Sequence, residues 1–328
     1  MRRPSHALGP LLALVTLVAC QTAASPATTD RPGPGPTTRT TPTIQATDTP
    51  ATPAMGTPPG GLPPCTGVGQ LWTAPVDGAT LVCVPAGDYW LGAADSDAAA
   101  PAVEKPRHHV VLHAYWIDRT EVTNDAFEAC VQAGWCTPRP AERGMTGVAS
   151  KTHLDYYHDP AFATYPVLIN RWQDADAYCR CMGRRLPTEA EFEAAARGSD
   201  ERPYPWGETL DCVHASYDGC TSDTTDVQVP AAGASPFGAL NLSGNVWEWV
   251  ADWYSGDAYA SALEVDPAGP PTGDDHVLRG GGWSSLRADL RATSRPMTSS
   301  GPRTWSWPGV AGQTASRRNP PGMARCLP

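Results

Sequence analysis

The sequence predicts an α+β fold with few helices, short strands and a high loop content, and three observations carry that expectation. Three short helices, each with its own start and stop residues, crowd into positions 124–197. Short apolar runs bounded by turn residues precede them. Beyond Gly198, roughly 130 residues show much glycine and little helical periodicity. Helices and strand-like runs therefore occupy separate stretches, which is the α+β pattern and not the alternating βαβ one.

The first elements concern targeting. Arg2 and Arg3 precede an apolar run, Leu11 to Ala19, which is too short to cross a bilayer and the right length for the core of a secretory leader. Leu17-Val18-Ala19-Cys20 resembles a bacterial lipobox, whose cysteine is acylated and becomes the new N-terminus; the plainer reading is an ordinary leader with an incidental cysteine. The expectation is a lipoprotein leader at 1–20, lipidation at Cys20 and attachment to the membrane through the lipid. Gln21 follows in place of an aspartate, so inner-membrane retention is not indicated and the outer membrane of a bacterial envelope is expected. Residues 21–64 are mostly Pro, Thr, Ala and Gly, too poor in large apolar side chains to offset ordering entropy, and read as a tether. One domain over 65–328 follows.

Within it, Leu81 to Gly87 and then Tyr89 to Gly92 read as a strand, a turn and a second strand, with Val110 to Leu112 and Tyr115 to Asp118 as further strand runs. Thr123 caps a helix over 124–133 that places Phe127 and Val131 on one face and stops at Gly134. A second helix runs from Trp172 to Met182 and stops at Gly183. Thr188 and Glu191 form a capping box for a third, Glu189 to Arg197, which ends at Gly198.

Loss of Arg2 and Arg3 with the leader takes the formal net charge from −10 to −12, and an acidic body without a basic run excludes nucleic acid as a partner. Ten cysteines point to an oxidising compartment. Cys130 and Cys136 flank a helix end and Cys212 and Cys220 a loop, so both are candidate local pairs. Two side chains two apart on a helix diverge, which argues against Cys179 and Cys181 as a metal pair; with Cys20 acylated nine cysteines remain, so one is free or pairs outside the chain, and Cys181 is the candidate. His108, His109 and His113 lack a further ligand at zinc spacing.

More specific than any periodicity is an ordered series of motifs: Val84-Pro85-Ala86-Gly87, Pro106-Arg107-His108-His109-Val110, Ile117-Asp118-Arg119-Thr120-Glu121-Val122-Thr123-Asn124, Gly183-Arg184-Arg185-Leu186-Pro187-Thr188-Glu189-Ala190-Glu191, Tyr204-Pro205-Trp206-Gly207, Gly244-Asn245-Val246-Trp247-Glu248-Trp249 and Arg279-Gly280-Gly281-Gly282-Trp283. In this order they resemble the formylglycine-generating enzyme (sulfatase-modifying factor) family, over essentially residues 80–328. The resemblance implies a C-type-lectin-like α+β domain. The family's best-known activity is copper-dependent oxidation of a sulfatase cysteine to formylglycine, and its other members serve other tasks, so the site must decide the function.

The resemblance also implies a disulfide between Cys179 and Cys326 and a structural calcium ion in the loop from Asn241 to Glu248, held by the side chains of Asn241 and Glu248 and the carbonyls of Leu242, Gly244 and Val246. Oxygen donors close together suit that hard ion, and Glu248 beside two tryptophans is otherwise an awkward buried charge; the alternative is a glycine turn leading into a buried strand. The oxidases hold copper through two cysteines that fall here on Ser285 and Leu290, neither of which supplies the soft thiolate copper(I) needs. Copper is therefore not expected, and no catalytic residue is assigned. Gly282 stands where the oxidases carry a serine, while Trp247 keeps the place of a pocket tryptophan. Trp247, Trp283, Arg287 and Arg291 are the candidate cleft residues, with Arg295 continuing the spacing and Trp305 and Trp307 as a candidate rim. The arginines read either as a cationic groove or as structural donors to buried oxygens.

The expected function is a calcium-stabilised binding or assembly module for an unidentified peptide, protein or glycan. The alternative is an enzyme of the same family working in the same cleft with a different residue set.

Overall fold

The end signals of the helices are met one by one in the computed structural model, which describes residues 61–138, 156–169, 171–260, 264–296 and 322–328. Helix α1 is Asn124–Gln132, where Thr123 Oγ1 accepts from the Ala126 amide. Helix α2 is Trp172–Cys181 and gives way at Gly183, which adopts the left-handed φ of 70°. Helix α3 is Glu189–Arg197, closed at its start by the Thr188/Glu191 capping box. After Gly198 only single 3-10 turns occur among the described residues.

Strands β1 (Leu71–Thr73), β2 (Thr80–Val84), β3 (Gly87–Leu91), β4 (His108–Leu112) and β5 (Tyr115–Asp118) form two small antiparallel sheets. The two strands predicted around Pro85 do not pair with each other. β2 lies between β1 and β5, while β3 pairs with β4. Burial gives the reason: Leu81 to Val84 are all buried, as a central strand requires, whereas β3 alternates and keeps one face open. A third sheet joins β6 (Trp247–Trp253) to β7 (His276–Arg279) antiparallel and to β8 (Gly322–Met323) parallel.

One apolar cluster gathers α1 and α2 with Trp249 and Leu278; a second gathers α3 with strands β2 to β4 and with Val250 and Val277 of the third sheet. All nine residues of α3 are buried, so its charges have internal partners. Glu193 accepts from Arg279 at 2.7 Å and Arg197 at 2.8 Å, and Arg295 grips both oxygens of Glu189 at 2.6 and 2.8 Å.

Disulfides join Cys130 to Cys136, Cys212 to Cys220 and Cys179 to Cys326. A fourth, Cys65 to Cys83, was not foreseen; it ties the start of the domain to β2. The expectation of an unpaired Cys181 is corrected: among the described residues no cysteine is free. The argument that separated it from Cys179 holds, because a helix sends these two thiols apart, but divergence does not leave a thiol single. Residues 61–64 carry no regular structure, and the Pro63 carbonyl accepts from the Trp116 indole at 2.9 Å. Cys20, the leader and most of the tether lie outside the described residues, as do Trp305 and Trp307. Among the described residues no helix is long and apolar enough to cross a membrane.

Candidate functional site

The stretch from Arg279 to Arg295 follows β7 and packs against the loop that leads into β6. Gly280 and Gly281 have φ of 90° and 75°, which favours glycine at both, and a Cβ on Gly281 would also lie 3.1 Å from the Asp289 carbonyl. The Trp283 amide donates to the Asn245 carbonyl at 2.7 Å, and a Cβ on Gly282 would sit 3.5 Å from the Trp247 ring. Trp247 and Trp283 are both half-buried, one beside Gly282 and the other next to it in the chain.

The positions aligned with the copper thiols have become structural. Ser285 Oγ accepts from the Gly282 amide at 2.9 Å, closing a turn on which the Ser285 amide also donates back to the Gly282 carbonyl. Leu290 is fully buried with Leu210, Ala215 and Tyr217, and its carbonyl accepts from Ser243 Oγ at 2.8 Å. A hydroxyl closing a turn and a leucine in a core are no donor set for copper(I), so this segment does not fit that metal.

The three arginines do not line an open cationic groove. Arg291 is engaged by Asp97 at 2.9 Å and by Glu104, and Arg295 by Glu189. Arg287 donates to Tyr217 Oη at 2.7 Å and to the Leu210 carbonyl at 2.8 Å while its guanidinium lies over the Tyr217 ring. These are the charge-assisted contacts that hold irregular backbone in place.

The loop from Asn241 to Glu248 is sharply turned, with Asn241, Gly244 and Asn245 at φ of 58°, 98° and 61°. Glu248 is wholly buried, and Arg325 answers its charge, donating Nε to one carboxylate oxygen at 2.7 Å and Nη2 to the other at 3.0 Å. The awkward burial that pointed to an ion is met in part by a side chain the sequence reading did not consider. A second buried carboxylate, Glu121, accepts from the amides of Asn241 and Asn245 at 3.0 Å each. Burial and the neighbouring Glu248 push its carboxyl up to about 8. Glu121 and Glu248 are the oxygen donors a cation could use here, and its binding would have to displace the proton that burial holds on Glu121. No cluster of three His, Cys, Asp or Glu side chains exists among the described residues, so amide and carbonyl oxygens would have to complete a calcium shell.

Fold and loop chemistry together define a scaffold of the formylglycine-generating type. The chain belongs to the sulfatase-modifying factor enzyme 1-like domain family, whose match covers residues 69–305. It is similar to the formylglycine-generating enzyme of Thermomonospora curvata, 34% identical over 252 residues, 62% of this chain and 82% of that one. It is also similar to the serine/threonine-protein kinase pkn1 of Chlamydia pneumoniae, 35% identical over 222 residues, 66% of this chain; there it spans only 35% of the relative's length. Among solved structures, PvdO from Pseudomonas aeruginosa shares the fold with a TM-score of 0.60 and 23% identity, over 80% of this chain and 98% of that one.

Sequence reasoning missed two functional-grade residues. Arg325 carried a signal, since its neighbour Cys326 is pinned to Cys179 and the arginine is thereby placed in the core. Asp252 carried none: as one charge in a tryptophan-rich strand it looks like a surface residue, yet it is 4% exposed.

Proposed function

We propose that this chain is a lipid-anchored envelope protein whose sulfatase-modifying-factor domain acts as a calcium-stabilised binding or assembly module without the family's copper oxidase. One observation carries the reading: Ser285 and Leu290, at the positions of the copper thiols, are engaged in a turn and in a core, and Cys220, which packs against that core, is tied up in a disulfide. The lipid anchor rests on the Leu17 to Cys20 motif and the Pro/Thr-rich tether. Calcium would be held by Asn241, Glu248 and the loop carbonyls, with Glu121 giving up its proton on binding; its role there is to lock the loop, and no chemical step passes through it.

The test is a copper(I) titration of the purified protein combined with oxygen-consumption and mass-spectrometric assays on a sulfatase-type cysteine peptide. The expected outcome is no stoichiometric copper(I) and an unmodified peptide. Formylglycine in the product, or a bound transition metal on elemental analysis, would establish an enzyme instead.

A further inference from the structure

At the far end of β6 from the Trp247/Trp283 pair, a cavity of about 230 Å³ opens between the start of α3, the 255–259 turn and the 267–270 loop. Its lining includes the apolar side chains of Leu91, Ala190, Pro267 and Pro270. Asp252 lines it as well. Its Oδ2 accepts from the Glu189 amide at 2.8 Å, and its Oδ1 takes no hydrogen bond among the described residues. Gly269 has φ of 68°, and a Cβ there would lie 2.8 Å from that Oδ1, so the glycine is what allows the loop to close on the carboxylate without covering it.

The groups facing Asp252 define what the cavity takes. Glu189 and Glu191 on α3 raise its carboxyl, Arg295 lowers it, and burial outweighs both, so it sits at about 8. The Arg295 guanidinium is itself held by Glu189 and by the Val103 and Ser255 carbonyls, and Arg295 is not among the residues that line the cavity. Asp257 lies at the mouth, hydrogen-bonded by Ser255. His108 donates Nδ1 to the Pro106 carbonyl at 3.1 Å, which leaves Nε2 as an acceptor. A lining that combines acceptors and carboxylates with apolar side chains suits an alkyl stem with a cationic, hydrogen-donating head.

We propose that this cavity binds an alkylammonium group, with Asp252 as its counter-ion. This deepens the binding-module reading by naming a class of ligand for it. The chemistry is shared by a lysine side chain on a partner and by a free diamine, and binding would shift Asp252 to its ionised form and release a proton near neutral pH.

The experiment is calorimetric titration of the folded, disulfide-intact protein with n-butylammonium, with n-butanol as the neutral control, at about pH 6 and about pH 8.5. Expected are binding of the amine alone, affinity that rises with pH, and heats that depend on the ionisation enthalpy of the buffer. Asp252→Asn is expected to weaken binding at least about tenfold. Gly269→Ala, which places a methyl against Oδ1, is expected to do the same by blocking access. Nα-acetyl-lysinamide and 1,4-diaminobutane then separate the two sources. Equal binding of butanol, no binding of any amine, or amine binding unaffected by Asp252→Asn with its melting profile intact would each overturn the proposal. None of these outcomes bears on the copper test, so the two readings fail separately.

Discussion

Strand β6 carries a buried carboxylate near each end, four residues apart, and their surroundings differ in kind. Glu248 is met by both nitrogens of the Arg325 fork and sits in a fully packed core. Asp252 is as deeply placed but is met by one backbone amide and opens onto a cavity. The fold therefore neutralises one charge internally and leaves the other to be neutralised by a proton or by a ligand. Buried charges of the first kind define architecture, and those of the second kind are where binding is to be sought.

Breaking the first end should have the largest effect. Arg325→Met leaves Glu248 and Glu121 buried with no cation, and removing one partner of a buried pair costs about 3–5 kcal/mol. Denaturant melts of the oxidised protein should show that loss; a change below about 1 kcal/mol would mean that Glu248 is not held by Arg325. Calcium should act at the same end with a smaller amplitude. Saturating calcium is expected to raise stability by about 3 kcal/mol at a hundredfold excess over Kd, and a chelator to remove the gain. An Asn241→Ala variant that kept the full calcium effect in thermal melts would place the ion elsewhere.

The smallest effect belongs to the second end and is diagnosed by its pH slope. The folded carboxyl of Asp252 lies at about 8, above its ordinary value of 3.8. Its contribution to stability is therefore complete below about pH 4 and is lost as pH rises through about 8. Asp252→Asn should change stability by less than about 1 kcal/mol below about pH 4, where the wild-type group is neutral both folded and unfolded, and should flatten the decline between about pH 4 and 8. Parallel melting curves for the two proteins across that range would show that Asp252 is ionised throughout.

How much of this was legible in the sequence depended on whether the cause was local. Capping residues act within one turn, so Thr123, Thr188 with Glu191, and Gly183 marked the helices almost to the residue. The motif order led to the family, and the cysteines at 130/136 and 212/220 were close enough to pair by position. Strand pairing was not legible, since β2 and β3 are neighbours in sequence that bond to other partners. The Cys65–Cys83 bond and the Arg325–Glu248 pair join residues 18 and 77 positions apart, and no spacing rule reports contacts of that kind.

The sequence by itself determined the residue types at each position: glycines at 280 and 281, free to adopt a positive φ, and Ser285 and Leu290 where the oxidases need thiols. Those statements need no coordinates, because steric freedom and metal softness belong to the residue. Only the tertiary structure decided which charges are answered. A carboxylate's state depends on the groups that the folded chain brings within a few ångströms, and on this strand that separates Glu248, a structural charge, from Asp252, an open one.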